Sequence, residues 1–175
     1  MSAVRADVRD CVCDLASPAI AESRTCSLCL EAEKHPASEP AFLLKDNDPT
    51  KPNRWLALPR KHYDGANPLA RMSAADRLAM WNIAIAKGRE LWGDGWAVAL
   101  NGDMARSQCH QHVHIGKLLG IDKLLDSNET GTAIYVDGPS QLPVIADGAG
   151  LWFHPAGARL HVHTGAQIDE TVLMR

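Results

Sequence analysis

Apolar positions fall into short blocks whose period alternates along the chain between that of strands and that of helices. The runs "PAFLLKD" (40–46) and "RWLALPR" (54–60) flank "NDPTKPN", a stretch of turn-forming Asn, Asp and Pro, and predict a strand pair. Helical spacing takes over in "SAADRLAMWNIAIAKGRELWGDG" (73–95), where Leu78, Trp81, Ile85, Gly88 and Leu91 or Trp92 recur on one side. Ser73 with Asp76 three residues on resembles a capping box, and Gly93 or Gly95 supplies the stop. This helix is expected to lie across a sheet. "WAVALN" and "CHQHVHIG" then read as two further strands joined by "GDMARSQ". Beyond residue 117, "TAIYVDG", "LPVIA", "GLWFHP" and "ARLHVHTG" suggest short strands or loops between Gly, Pro and Asp breaks. The first roughly 20 residues read as a short amphipathic helix outside the core.

Composition narrows the function classes. A chain of 175 residues, 46% hydrophobic and 22% charged, fits one globular domain. A formal net charge of −3 gives no overall electrostatic case for a nucleic acid polymer or an anionic membrane, and leaves room for a small anionic ligand at a local site. No run approaches the ~20 apolar residues of a membrane span, and the start lacks the basic-then-apolar order of a signal peptide. A soluble, cytoplasmic protein with no membrane partner is therefore expected. Five cysteines, Cys11, Cys13, Cys26, Cys29 and Cys109, without an export signal argue against a disulfide framework and open the question of thiolate metal ligation.

The chemistry concentrates in "RSQCHQHVHIGKL" (106–118). Strand alternation would set His110, His112 and His114 on one face, with Gln111, Val113 and Ile115 on the other. The lead-in carries Asn101, Arg106, Ser107 and Gln108, whose amide, guanidinium and hydroxyl donors suit phosphate oxygens. A neutral imidazole, with an unperturbed pKa of ~6.5, is a competent nucleophile toward phosphorus near neutrality. A histidine metal comb and a plain solvated strand are the competing readings.

These residues resemble the His-x-His-x-His signature of the histidine triad (HIT) superfamily of nucleotidyl hydrolases and transferases. The order of elements agrees: a Cys-x-x-Cys start, a strand ending in Asp46, a strand ending in "PRKH", the long helix, an Asn-bearing strand, then the triad. The resemblance spans Cys26 to Lys117. It implies an α+β fold with an antiparallel sheet of about five strands, a long helix across it, an N-terminal zinc knuckle and an irregular C-terminal extension. In this reading 1–175 form a single HIT-like domain, with 1–25 an N-terminal extension, 26–117 the core and 118–175 a C-terminal extension.

The resemblance also implies roles. His112 would attack the nucleotidyl phosphorus and carry the covalent intermediate; His114, Asn101 and Ser107 would bind and polarise the phosphate; Asp46 would hold the ribose hydroxyls. Two spacers depart from the usual apolar pattern, Cys109 and Gln111. "MARSQ", with Arg106 and Gln108 among the phosphate donors, is closer to the CDP-diacylglycerol pyrophosphatase branch, although His110 is retained and a soluble substrate is favoured. Zinc-bearing bacterial members look similar at "CSLC", which implies a closed structural zinc site of Cys26, Cys29, His62 and His110. Two buried free thiols, or another metal set drawing on Cys11 and Cys13, are the alternatives.

The expected function is thus a nucleotide phosphohydrolase or nucleotidyltransferase, hydrolase favoured, acting on a nucleotide or nucleotide conjugate. The rival is a zinc-stabilised nucleotide-binding or sensor protein without turnover. A homodimer is common in the superfamily, and the terminal segments are placed to cover its usual interface. His154, His161 and His163 either face substrate from the leaving-group side or belong to a solvated strand.

Overall fold

The computed structural model describes residues 8–120, 131–145, 147–165 and 169–175. The expected pair forms: β1 (Ala41–Lys45) and β2 (Trp55–Pro59) run antiparallel, with Phe42 opposite Leu58 and Leu44 opposite Leu56. This register gathers Phe42, Leu56 and Leu58 on one face, where Leu28 and Ala32 of a short helix cover them. That helix is α2 (Ser27–Glu33); a single turn, α1 (Pro18–Ala21), precedes it.

After a second short turn, α3 (Pro68–Arg71), comes the long helix α4 (Ala74–Trp92). Its start is the predicted cap, with the Asp76 N–H donating to Ser73 Oγ at 3.1 Å, and Gly93 ends it at φ 57°. The buried stripe is Met80, Trp81, Ala84, Ile85 and Gly88, while Leu78 is half-buried and Leu91 is exposed. Gly88 explains the rotation. A Cβ there would lie 2.9 Å from Trp96 Cβ, so the closest helix-to-sheet approach passes over this glycine and draws its neighbours inward.

Five further strands complete the sheet: β3 (Trp96–Leu100), β4 (Val113–Lys117), β5 (Gly131–Val136), β6 (Gly150–Ala156) and β7 (Arg159–Gly165). The order is β1-β2-β4-β3-β6-β7-β5, antiparallel throughout. The α+β class with one antiparallel sheet is as expected, but the sheet has seven strands rather than about five, and the C-terminal extension is not irregular. Leu151 and Phe153 in β6, and Leu160 and Val162 in β7, alternate into the core beneath α4, and Val98 pairs with Phe153 to join the segments. Of "LPVIA", residues 142–145 form no strand and follow the 3-10 turn Pro139–Gln141, and Ala146 lies outside the described residues. The expected N-terminal amphipathic helix is replaced, from residue 8 on, by a 3-10 turn at Val8–Asp10 and by α1. Residues 1–7 of that expectation lie outside the described residues.

The two faces differ. Beneath α4 lie Val98, Val113, Ile115, Leu151, Phe153 and Val162. On the other face Ala97, Ala99 and Trp152 are covered by Val172 and Leu173 of the tail, which reaches the sheet through the 3-10 turn Asp169–Val172. No helix among the described residues is long and apolar enough to cross a membrane.

Candidate active site

Val113 and Ile115 are fully buried under α4, so the alternation of β4 turns His114 to the opposite face beside His112, with ring centroids 5.1 Å apart. His112 Nδ1 lies 2.9 Å from the backbone oxygen of His110. A carbonyl only accepts, so Nδ1 carries the proton and donates it, which leaves the lone pair on Nε2. Burial is the main force lowering the His112 pKa, and the ring is neutral near pH 7. Burial likewise pushes His114 down to about 3. Its Nδ1 stands 3.5 Å from Glu170 Oε2.

His110 does not join this patch. β4 begins only at Val113, and His110 turns toward the last residue of β2, where Nε2–H donates to the Pro59 carbonyl at 2.8 Å. The expectation of three imidazoles on one face is corrected accordingly. Its other nitrogen, Nδ1, is fully buried, makes no hydrogen bond among the described residues, and faces Asp64 Oδ1 at 3.9 Å. Cys29 Sγ, His62 and Asp64 share the same pocket, with all four ligand atoms within 4.8 Å of one another. The donor set fits a zinc ion. An orphaned imidazole nitrogen whose partner nitrogen is fixed by a carbonyl, a buried thiol and a carboxylate are what such an ion needs. Burial, with help from Asp64, pushes the Cys29 thiol up to about 12, a state that a bound cation reverses.

Cys26 is absent from this set, against the sequence-based assignment. Its sulfur instead lies with those of Cys11, Cys13 and Cys109, all four within 4.8 Å of one another, a second group able to hold a metal ion that takes in the Cys11 and Cys13 of the alternative metal set. The Cα atoms of Cys13 and Cys26 and of Cys11 and Cys109, 5.6 and 5.8 Å apart, are also within disulfide reach. The cause is local. The Cys109 N–H donates to the Thr25 carbonyl at 2.9 Å, bringing Cys109 against Cys26 while the next residue, His110, turns away toward Cys29. The N-terminal segment then supplies Cys11 and Cys13 to the same cluster.

Arg106 also has a different place from the one expected. It is 4% exposed, and its terminal nitrogens donate to the carbonyls of Gly65 (2.7 Å) and Cys109 (2.8 Å) and to Asp103 Oδ1 (3.1 Å). Asp103 in turn accepts the Asn67 N–H and donates its own N–H to Gly148, a glycine at φ 75° with no room for a Cβ beside the Asp103 carboxylate. Arg106 therefore braces the loop before the triad instead of facing solvent. The brace fixes Ser107 and Gln108, both half-buried, the latter with a buried Oε1 that is unpartnered among the described residues. Asn101 closes β3 beside the loop, its Oδ1 accepting the Glu170 N–H at 3.0 Å, and Asp46 stands just past β1.

Sequence reasoning missed the tail's part in this site. Glu170 Oε2 accepts from Lys51 Nζ and Arg54 Nη1, each at 3.0 Å, and closes over His114 and Asn101. Nothing in the local pattern near residue 170 marks it, since Lys51 and Arg54 stand more than a hundred positions away and Asn101 lies 69 positions away.

No protein-family model matches the chain, and no curated protein does so. Among solved structures, a DUF4931 family protein from Bacillus cereus is similar, with a TM-score of 0.53 at 12% identity over 73% of this chain and 82% of that one. This likeness is one of fold. Yeast Ap4A phosphorylase overlaps more loosely, with a TM-score of 0.41 at 13% identity over 78% of this chain and 63% of its own.

Proposed function

We propose that this chain is a nucleotide phosphohydrolase or nucleotidyltransferase, hydrolase favoured, that cleaves a phosphoanhydride or phosphoramidate bond through a covalent nucleotidyl-histidine at His112. The observation that carries the reading is the bond from His112 Nδ1–H to the His110 carbonyl, which fixes the tautomer, together with the burial that keeps the ring neutral. A neutral imidazole aimed in this way can attack without a general base.

The step balances as follows. The Nε2 lone pair forms the N–P bond while the bond from phosphorus to the leaving group breaks; the leaving group keeps that electron pair and takes a proton from solvent. A water oxygen then attacks phosphorus and gives up its proton to solvent, the N–P pair returns to Nε2, and the nucleotide departs with the oxygen. Ser107, Asn101 and His114 would contact the phosphate oxygens, Gln108 would assist them from the braced loop, and Asp46 would accept from the ribose hydroxyls. Arg106 contributes by positioning. The substrate is a nucleotide or nucleotide conjugate, and the whole of 1–175 acts as one domain. Cys29, His62, Asp64 and His110 would hold zinc, which when bound supplies a structural tie between α2 and the approach to the triad.

Incubation with an adenosine phosphoramidate or a dinucleoside polyphosphate should release a mononucleotide, and His112→Ala should abolish release with an unchanged circular dichroism spectrum. Full turnover in that variant refutes the assignment. A mass increase of one nucleotidyl group on wild type after acid-free quenching supports the covalent step; tight nucleotide binding with neither adduct nor product identifies a binding protein instead.

A further inference from the structure

The sheet face that carries the candidate site continues across β6 and β7 to a second group of imidazoles. Ala99 pairs with His114 on one side and with Trp152 on the other, and Trp152 pairs with His163. One row therefore runs from the triad to His163, three strand spacings or about 14 Å away. His154 lies opposite His161 in the same ladder, and since Phe153 and Val162 face the core, His154, His161 and His163 all face outward.

We infer that His154, His161 and His163 form a binding site for a divalent transition metal ion of the nitrogen-preferring class, such as zinc, nickel or cobalt, with a coordination position left for solvent or a ligand. The inference is independent of the proposed catalytic role of His112.

Geometry carries it. The three ligand atoms lie within 4.8 Å of one another. His161 Nδ1 and His154 Nε2 are 3.3 Å apart, the separation expected of two imidazole nitrogens on one ion at bonds of ~2.1 Å. His154 Nδ1–H donates to the Pro155 carbonyl at 2.9 Å, which fixes the tautomer with the Nε2 lone pair turned toward His161. His163 Nε2 is buried and makes no hydrogen bond among the described residues.

Both remaining rings are held by aromatic neighbours. Trp152 stacks on His163 with centroids 3.8 Å apart and planes within 1°, and Tyr135 stacks on His161 at 4.4 Å and 8°. Rings locked in this way lose little rotational freedom when they ligate. No carboxylate belongs to the group, so its chemistry favours zinc, nickel or cobalt over magnesium or calcium. Antiparallel neighbours on two hydrogen-bonded strands give the site a rigid base, unlike a loop cluster.

The test uses the full chain without an affinity tag, titrated with Ni2+ and followed by bound metal and by tryptophan fluorescence. Wild type should bind one equivalent more than either His161→Ala or His163→Ala, and that equivalent should quench fluorescence saturably because Trp152 lies against the site. Trp152→Phe should retain the equivalent and lose most of the quench, and Cys29→Ser should retain both. Equal stoichiometry and equal quenching in wild type and both histidine variants overturn the inference. If the alanine variants unfold, His161→Gln and His163→Gln replace them under the same criteria. His112→Ala should bind the ion as wild type does, so loss of turnover and loss of this metal are separable.

Discussion

Arg54 is the side chain on which the tail depends. It is 2% exposed, and its guanidinium donates to the carbonyls of Glu170, Leu173 and Met174 and to the Glu170 carboxylate. Only a planar fork with five donors can serve these acceptors together, so Arg54→Lys is not a conservative change. Arg54→Ala leaves the carbonyls of Glu170, Leu173 and Met174 without the guanidinium and the half-buried Glu170 carboxylate with Lys51 as its remaining cation, and should cost about 3–5 kcal/mol, read as a fall in the urea midpoint, with Arg54→Lys recovering only part. Burial pushes the Glu170 carboxyl up, yet His114, Lys51 and Arg54 around it hold it down to about 2. A depressed carboxyl gives stability that is present above its ordinary value of 4.5 and lost as pH falls toward 2. His114 acts in the same direction over a higher range: its folded value of about 3 lies below the ordinary 6.5, so the unfolded chain binds the extra proton between them and stability falls with pH. Urea midpoints across a pH series should therefore decline from about pH 6.5 downward. Glu170→Gln should make the curve shallower below pH 4.5, and His114→Asn between 6.5 and 4.5.

At the scale of elements, the patterns that were legible are those whose cause is local. The β1–β2 pair, the Ser73 cap of α4 and the apolar run of β3 each follow from residues within a few positions of one another. The sequence stripe on α4 placed Trp81, Ile85 and Gly88 on the buried side but also Leu78 and Leu91, because periodicity alone does not show that Gly88 is the contact point about which the helix is turned. Gly88→Ala offers a check. Removing a helical glycine gains about 1 kcal/mol of propensity, but the new Cβ meets Trp96 at 2.9 Å, and overpacking of about 1–3 kcal/mol should win. The thermal midpoint should fall for Ala and further for Val; a rise for Ala would show that α4 shifts freely. Among candidate site residues, the proximity of His112 and His114 was readable from alternation. The split between Cys26 and Cys29 was not, because it depends on the turn of the chain between Cys109 and His110 and on the return of the N-terminal segment. A structural zinc should accordingly survive Cys26→Ser and vanish in Cys29→Ser, measured as bound zinc per chain. Less than about half an equivalent in wild type would end that proposal.

On the scale of the whole molecule, the boundary drawn at residue 117 has the largest consequence. The pattern to that point ends where β4 ends, and β5–β7 read as short strands or loops of an irregular extension because Gly, Pro and Asp interrupt short apolar runs. The sheet shows why those runs are sufficient: β6 pairs with β3 along Val98, Ala99 and Leu100, so the strand that bears Asn101 is interior to the sheet only when β6 is present. Without 118–175, β3 becomes an open edge, Trp81 and Trp96 lose the edge-on ring of Phe153, and Ala97 and Ala99 lose the cover of Val172 and Leu173. Arg54 loses its acceptors at the same time. A fragment comprising 26–117 should therefore fail to fold as a unit, giving no cooperative thermal transition and poorly dispersed amide resonances, whereas a chain retaining 131–175 should unfold cooperatively. A well-dispersed spectrum from the fragment would mean that the triad strand is supported from the β1–β2 side alone. The site would then be independent of the tail that closes over it, and Glu170 would be a cover instead of a part of the frame.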